Sequence, residues 1–519
     1  MTTVARRRMD VPGLAPQQER GASRSGLGVP AILQVAWSDD RIGLAAAAAA
    51  AAAFALLSAW ITPRGPITTI EALLSMAAAF GFGMAAGLLI GRRWSAIIAP
   101  AVFLTVFELA RLSTDGPTVD SVRLDSTYGV IAFVVGRGVH WLLVLPPMIV
   151  GAVYGVELAA RLGRRNSRRL GRISWTVTGV STLAILALAA MLASPPSTAP
   201  VMGPDGRPLP GSVAELTSVS IGGHDQALMI RGHSTDSPVL LHLAGGPGGT
   251  DLGAMRADVG LEQSFVVVTW DQRGTGKSFA ALDPVETFTL DQMVADTLEL
   301  TNYLRARFDE DRIYLTGNSW GSTLGVLAVQ QHPELFHAFV GTGQMVSQAA
   351  TDRMFWEDTI IWAEGAGATE LAASLRESGA PPYANIALYE QALSHEHDWN
   401  VYPEFDGVKE MPFNLFVPEN SLMDQVNGLR AFLDSFYVMY PQLQQLDFRS
   451  TATSLDVPIY MVLGAHETRG RADPANEWFA MLEAPSKEKI IFEHSGHRPS
   501  FEEPGVFSAL MARVIDETR

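Results

Sequence analysis

Residues 312–322 place a serine between two glycines, in the arrangement that suits a reactive hydroxyl. The segment reads RIYLTGNSWGS, in which a short apolar run leads directly into GNSWG at 317–321. Glycines on either side of Ser319 permit a sharp turn from strand to helix, which exposes the serine hydroxyl. The same turn places the N–H of Trp320 at a helix start, where it can stabilise a developing oxyanion. We therefore predict Ser319 as a nucleophile and Trp320 as an oxyanion donor.

A serine nucleophile requires a base and an acid, and both residue types follow predicted strands further along the chain. An imidazole must take the serine proton, and a carboxylate must orient that imidazole. Glu467 follows one such strand, and His494 and His497 follow the next. Asp473, six residues beyond Glu467, is an alternative acid. The order serine, acid, histidine is the chain order of α/β-hydrolases.

Two loops upstream of the serine also follow apolar strands. The strand 238–243 is followed by AGGPGG at 244–249, whose unhindered glycine N–H groups can approach a substrate carbonyl oxygen. We predict this loop as the second half of the oxyanion hole. The next strand ends in DQRGTGKS at 271–278, which lacks the G-x-x-x-x-G-K-S/T spacing of a phosphate loop. We interpret it as a structural turn in which Asp271 and Arg273 pair locally.

The elements that must position these residues are strands alternating with helices. Apolar runs predict eight strands, at 213–222, 225–231, 238–243, 265–270, 312–316, 337–341, 458–463 and 488–492. Their alternation with helical patterns predicts an α/β fold with a doubly wound, mostly parallel sheet. In such sheets the catalytic residues lie at the C-terminal ends of the strands.

An insertion of mostly helical pattern lies at about 345–455, between two predicted strands, and is rich in aromatic and acidic residues. We predict that it forms a cap over the serine. Its acidic runs HEHD (395–398) and PEFD (403–406) hold metal-ligand residue types without a recognised ligand spacing. We therefore expect no metal and no cofactor.

Four motifs in this chain resemble the proline iminopeptidase family of α/β-hydrolases. They are HLAGGPGG (242–249), WDQRGTGKS (270–278), GNSWGS (317–322) and FEHSGHRPSFEEP (492–504). The resemblance covers about residues 213–517 and does not extend to residues 1–193. It implies the following roles: nucleophile Ser319, base His497 rather than His494, acid Glu467, and oxyanion donors Gly246 and Trp320.

The chain also departs from the family pattern. Ala244 replaces the usual histidine ahead of the glycines, and Glu467 stands where aspartate is common. The resemblance implies removal of the first residue, including proline, from a short peptide whose free amino terminus is held by cap carboxylates. Glu357, Glu364 and Glu370 are the candidates for that role, although no motif aligns them. Solvated helix faces are the alternative explanation of these three residues.

The N-terminal part of the chain has a different character. Residues 1–193 carry 18 Arg, no Lys and a net charge of +8, whereas residues 194–519 carry −24. An acidic C-terminal part argues against a nucleic-acid partner, and the lack of cysteine excludes disulfides and thiol catalysis. Five apolar runs are long enough to cross about 30 Å of hydrocarbon, the third only marginally. They lie at 42–62, 67–90, 95–111, 130–156 and 173–193.

Arginine placement predicts how these spans are oriented. The segment 1–41 and the two loops on the same side carry 14 Arg, against 3 in the alternate loops. By the positive-inside rule, 1–41 is a cytoplasmic segment and 42–193 a transmembrane region of the cell membrane. The linker 194–212 then leads to an extracytoplasmic domain, 213–519, provided that the number of spans is odd. Near the outer span ends, Glu108 and Arg137 are expected to form a structural ion pair.

Together these patterns predict a membrane-anchored serine hydrolase that acts on short peptides or small acyl substrates, with the lipid bilayer as its other partner. Hydrolysis of esters or amides by the same fold is an alternative, because the triad determines acyl transfer and not the leaving group. A transporter or sensor whose outer domain only binds a ligand is a rival of a different class. Such a binding domain would not need an activated serine.

Overall fold

A computed structural model describes residues 30–519, apart from 121, 125, 165–168, 170, 384, 385 and 407–410. Most of the predicted cytoplasmic segment 1–41 therefore lies outside the described residues, as does part of the arginine-rich loop before the last span. The described chain forms an N-terminal helical region, called here the membrane region (residues 30–193), and a C-terminal α/β domain (residues 213–519).

The membrane region consists of antiparallel helices. Their bounds are α1 Ala31–Ser38, α2 Asp40–Ile61, α3 Thr69–Ile90, α4 Ser95–Ala110, α5 Thr127–Phe133, α6 Val139–Arg161 and α7 Arg172–Leu192. A π-helical turn, Val134–Gly138, joins α5 and α6 into one continuous helix of 35 residues. The helices long and apolar enough to cross a membrane number four within the described residues: α2, α3, α5–α6 and α7. The third of the five predicted spans corresponds to α4, whose 16 residues give a length of only about 24 Å.

Ion pairs mark the two ends of this helical bundle. At one end Asp40 pairs with Arg92 and Arg164, which joins the start of α2 to the residues that follow α3 and α6. At the other end Glu108 pairs with Arg137, Nε to Oε2 at 3.1 Å. The predicted Glu108–Arg137 ion pair is therefore confirmed, and it lies at the end that faces the α/β domain.

The α/β domain is built on one sheet of eight strands. They are β1 Val213–Ile221, β2 His224–Gly232, β3 Val239–Leu243, β4 Val266–Trp270, β5 Ile313–Asn318, β6 Phe336–Thr342, β7 Ile459–Gly464 and β8 Lys487–Phe492. The spatial order is β1-β2-β4-β3-β5-β6-β7-β8, with β1 and β2 antiparallel to their neighbours and the other strands parallel. All eight predicted strands are confirmed within two residues. β3, β4 and β5 are buried at every position, as expected for strands covered on both faces.

Helices cover both faces of the sheet and form the cap. They are α8 Leu252–Ala257, α9 Leu261–Ser264, α10 Leu290–Phe308, α11 Trp320–Gln331, α12 Gln348–Gly365, α13 Thr369–Ser378, α14 Ile386–Leu393, α15 Glu396–Trp399, α16 Met411–Leu415, α17 Leu422–Leu443, α18 Phe448–Thr451, α19 Arg469–Met481, α20 Pro499–Glu502 and α21 Pro504–Thr518. Helices α12 to α18 lie between β6 and β7, which confirms the predicted helical cap. The longest of them, α17, is called here the cap helix.

Candidate active site

Ser319 occupies the turn between β5 and α11. Its φ and ψ of 54° and −118° lie outside the regions that L-residues normally adopt, and its N–H donates to the Thr342 carbonyl at 3.0 Å. The turn is possible because its neighbours are glycines. A side chain at Gly321 would collide with the carbonyl oxygen of Leu243, and one at Gly317 would collide with the backbone of Gly321. The serine is therefore held in a strained, half-buried position at the C-terminal end of the central strand, where it lines a cavity.

His497 and Glu467 come together beside this turn. His497 Nδ1 lies 2.6 Å from Glu467 Oε2, and the Glu467 side chain is only 1% exposed. With Nδ1 donating to the carboxylate, Nε2 is the nitrogen left to accept a proton. The other candidates lie elsewhere: Asp473 is exposed on α19, and His494 is exposed in the turn after β8, 3.4 Å from Glu404.

A buried arginine braces the carboxylate. Arg471 Nη1 lies 3.3 Å from Glu467 Oε1, and the same guanidinium binds Glu396 of the cap through two contacts, one of them 2.9 Å. Burial alone would raise the pKa of Glu467, but the charges of His497 and Arg471 and the hydrogen bonds it accepts lower that pKa to about 2. Glu467 is consequently ionised wherever the protein is folded near neutral pH.

The sequence prediction did not find Arg471 and Glu396. Arg471 stands four residues after Glu467 at the start of a helix, so an i, i+4 pairing rule would have suggested this contact. Glu396 belongs to the run HEHD, but its partner is 75 residues away. No local pattern indicates that pair.

The glycine loop after β3 is held by a second buried carboxylate. Asp251 Oδ2 accepts the N–H of Gly245 at 3.1 Å and lies 3.1 Å from His242 Nε2, while Oδ1 pairs with Arg498 at 2.8 Å. Burial would raise the pKa of Asp251, but Arg498, His242 and the Gly245 N–H lower it below its usual value. Asp251 therefore fixes the loop as a charged anchor, a role that the sequence prediction had not assigned.

Gln272 joins this loop to the nucleophile turn. Its amide group donates to the Ala244 carbonyl at 3.2 Å and accepts the indole N–H of Trp320 at 2.9 Å. Ala244, the departure from the family pattern, is thereby supported through its backbone. Gly246 has a φ of +133° and lines a small recess together with Ser319 and Trp320, so both predicted oxyanion residues border the nucleophile.

The predicted pairing of Asp271 with Arg273 is wrong. Asp271 instead accepts the Thr250 hydroxyl at 2.7 Å and the Lys277 N–H at 2.9 Å. Arg273 turns the other way and pairs with Asp296 of α10 at 2.7 Å. Because a backbone N–H and a hydroxyl already bind the Asp271 carboxylate, Arg273 is available to pair with the helix α10.

Ser319 and His497 open onto a cavity of about 520 Å³ beneath the cap. Its walls are largely apolar and include Phe432 and Phe436 of the cap helix. Tyr128 of the membrane region also lines it, with its ring 6.2 Å from that of Phe432 at an interplanar angle of 27°. A residue from the membrane region could not be expected in this wall, because the family resemblance begins only at about residue 213.

The three cap glutamates lie outside this cavity. Glu357 pairs with Arg469 at 3.3 Å, Glu364 pairs with Arg376, and Glu370 is exposed on α13. Among the residues that the structure describes, none of the three glutamates lines the cavity. The structure therefore does not bring them to the nucleophile.

The doubly wound sheet, with its serine on a strained strand-to-helix turn, defines the class of α/β-hydrolases. Residues 238–504 match the alpha/beta hydrolase fold family, and the chain belongs to that family. The match begins beyond the membrane region.

Three similar proteins each cover a little more than half of the chain. Probable aminopeptidase YbaC of Bacillus subtilis (strain 168) is 30% identical over 313 residues, which cover 58% of this chain and 96% of that protein. Putative carbamate hydrolase RutD of Enterobacter cloacae subsp. cloacae is 24% identical over 279 residues, covering 53% and 90% of the two chains. The solved proline iminopeptidase-related protein of Thermus thermophilus is 19% identical with a TM-score of 0.41, covering 59% and 98%. The predicted resemblance to aminopeptidases of this family is confirmed.

Proposed function

We propose that this hydrolase is a membrane-anchored serine enzyme whose α/β domain lies on the extracytoplasmic side. The observation that carries the chemistry is the 2.6 Å contact of the buried Glu467 with His497, which lines the same cavity as Ser319. A histidine with one nitrogen held by a carboxylate is the base that a serine nucleophile requires.

The chemical steps follow from this arrangement. Ser319 Oγ attacks the scissile carbonyl while His497 takes its proton, and Glu467 stabilises the imidazolium that forms. Backbone N–H groups of Gly246 and Trp320 hold the oxyanion of the tetrahedral intermediate; the first N–H groups of a helix have no intrahelical partner, which suits Trp320 to this role. His497 then returns the proton to the leaving group, and water hydrolyses the acyl-enzyme by the same route.

For the substrate, we propose an aminopeptidase of proline iminopeptidase type that releases N-terminal residues from short peptides. The relation to the B. subtilis probable aminopeptidase supports this choice. An acidic recess formed by Glu404, Asp406 and Glu502 adjoins the catalytic cavity and shares Phe405 and Arg498 with it. Carboxylates at that position suit the positive charge of a free amino terminus.

The orientation in the membrane rests on charge. Of the arginine-rich segments, the described residues Arg92 and Arg164 lie at the end of the bundle where both pair with Asp40. The short helix α4 leads from that end to Glu108 at the end that faces the α/β domain, so the bundle has an odd number of passes when α4 is counted. By the positive-inside rule the end that holds Arg92 and Arg164 is cytoplasmic, which leaves the catalytic domain outside.

Turnover by the full-length protein in detergent tests the substrate class. Aminoacyl-naphthylamides with a free amino group, prolyl-naphthylamide among them, should be hydrolysed with a higher kcat/KM than the same compounds carrying an N-acetyl group. Hydrolysis of simple esters without any of the amides would favour the esterase alternative. Failure to hydrolyse either class, with no covalent labelling of Ser319, would favour a ligand-binding domain.

A further inference from the structure

The cap helix begins in contact with the membrane-spanning helices. Met423, in its first turn, is buried in a cluster with Met76 of α3, Leu143 of α6 and Leu192 of α7. Met76 lies about 10 Å beyond the start of α3. The start of the cap helix therefore packs against residues of three of the spans.

One face of the cap helix is tied to the membrane region by polar contacts between buried groups. Asn427 donates to the Ile67 carbonyl at 2.8 Å. Arg430 donates to the Pro66 and Val135 carbonyls at 2.7 and 2.9 Å. Asp434 binds the Arg64 and Thr118 side chains at 3.2 and 2.6 Å. These bonds fix the helix relative to the spans.

The other face of the same helix lines the catalytic cavity. Gly428, Phe432, Leu433 and Phe436 all contribute to its wall, and Tyr128, at the start of the long span, completes the wall beside Phe432. Phe436 also lines a smaller recess next to Ser319. From Met423 to Phe436 the helix extends about 20 Å, so the same helix contacts the spans at its start and lines the recess beside the nucleophile further along.

The segment just before the cap helix lies beside the residues that follow the last span. The Pro418 carbonyl accepts the Ser197 N–H at 3.0 Å, immediately beyond the last span. Next to it, Phe413 and Phe416 are 41% and 68% exposed. Aromatic residues at this level are typical of the membrane–water interface. Asn414 and Leu415, between these two phenylalanines, line the catalytic cavity.

We propose that the substrate is an amphiphile, an ester or amide with one aliphatic or aromatic chain, a short peptide that carries such a chain included, which reaches Ser319 from the outer surface of the bilayer. The chain lies between Tyr128 and the Phe432–Phe436 face of the cap helix, where its apolar surface is removed from water. This inference rests on the proposed serine chemistry and adds the route and the polarity of the substrate. It makes the membrane region part of the substrate pocket as well as an anchor.

Covalent labelling of the full-length protein in phosphatidylcholine nanodiscs tests the inference. The two probes are butyl and dodecyl fluorophosphonates, and the quantity measured is the ratio of their second-order labelling rates. Wild type should favour the dodecyl probe. Tyr128→Ala should lower the dodecyl-to-butyl ratio about tenfold because it removes apolar contact along the chain, and Tyr128→Phe, which keeps the ring, should restore it. Trp60→Ala is the matched control, since Trp60 is an exposed aromatic residue of the membrane region, near the end of α2, that does not line the cavity.

The outcomes separate the inference from the function on which it rests. If both probes label wild type at equal rates, or if Tyr128→Ala and Trp60→Ala have the same ratio as wild type, the amphiphile inference is overturned and the serine chemistry stands. If neither probe labels wild type, the serine chemistry fails and the inference fails with it. Turnover of a dodecanoyl ester and of prolyl dodecylamide then shows whether the chain lies on the acyl or the amine side, and turnover of either supports the inference.

Discussion

Arg64 of the membrane region and Asp434 of the cap helix form an ion pair of 3.2 Å in which the two side chains are only 4% and 1% exposed. Asp434 also accepts the backbone N–H and the hydroxyl of Thr118. Burial raises the pKa of this carboxyl, and Arg64 with the Thr118 hydrogen bonds opposes the rise. The pair connects the spans to the helix that lines the active site.

Loss of this pair should destabilise the full-length protein. Arg64→Ala removes the arginine from the buried Asp434 carboxylate, which keeps its Thr118 hydrogen bonds, and from Asp283. Removal of one partner of a buried ion pair typically costs about 3–5 kcal/mol. We expect a clear fall in the thermal unfolding midpoint in detergent. Arg92→Ala is the control, because Arg92 and Asp40 form a half-exposed pair at the opposite end, worth about 1 kcal/mol or less. Equal effects of the two variants would show that Arg64 and Asp434 do not join the two parts.

The choice between the two acids can be tested by amide substitution. Glu467→Gln keeps the shape of the side chain but cannot stabilise an imidazolium, so kcat should fall about 10³–10⁴-fold. Asp473→Asn, on the exposed face of α19, should leave kcat within about twofold. A large loss in Asp473→Asn with a small one in Glu467→Gln would transfer the role of acid to Asp473.

Arg471 should control the stability of the site at low pH. Because the folded-state pKa of Glu467 is depressed to about 2 from its usual value of 4.5, its ionisation stabilises the folded state above pH 4.5, and this stability is lost as the pH falls towards 2. Arg471→Met removes part of the charge that depresses this pKa. Acid unfolding should therefore begin at a higher pH in the variant.

A companion substitution distinguishes charge from packing at Arg471. The single Arg471→Met variant also leaves Glu396 buried without its partner. Adding Glu396→Gln should recover part of the stability lost near neutral pH, because no uncompensated cap charge remains. Additive losses in the double variant would show that the contact with Glu396 contributes nothing beyond packing.

Asp352 should produce the opposite pH dependence. It is 2% exposed and accepts hydrogen bonds from Tyr440 and Gln444, yet burial raises its pKa to about 6. The folded state therefore holds a proton that the unfolded state releases between pH 3.8 and about 6. Stability from this group should fall by about 3 kcal/mol as the pH rises through that interval and stay level above it.

Asp352→Asn tests this dependence, since the amide does not titrate. The difference in unfolding midpoint between wild type and variant should change between pH 4 and pH 6 and be constant above pH 7. A difference that is the same at every pH would contradict the raised pKa.

The fold could be predicted from the sequence where the residues of one short segment determine the structure of that segment. The apolar runs of β3, β4 and β5 indicate strands because those strands are buried on both sides, and the glycines beside Ser319 indicate the turn because no other residue fits there. The short third span could likewise be predicted, because the apolar run that forms α4 ends near Ala110.

The supporting residues of the site could not be predicted in this way. Glu396 and Tyr128 contact groups that are distant in the chain, and Asp251 pairs with Arg498, 247 residues away. No periodicity or motif predicts such contacts. The candidates Glu357, Glu364 and Glu370 are the opposite case. Their carboxylates have suitable chemistry and lie in the cap, but their helix faces point to arginines or to solvent. Position in the cap depends on how its helices pack.

Labelling of Ser319 tests the central claim most directly. The full-length protein in detergent, treated with a fluorophosphonate and mapped by peptide mass spectrometry, should carry one adduct, on Ser319. Ser319→Ala should abolish the adduct, and His497→Gln should slow its formation by about 10³-fold or more, because the base that activates the serine is lost. An undiminished adduct in Ser319→Ala, or a wild-type adduct on a different residue, would contradict the account.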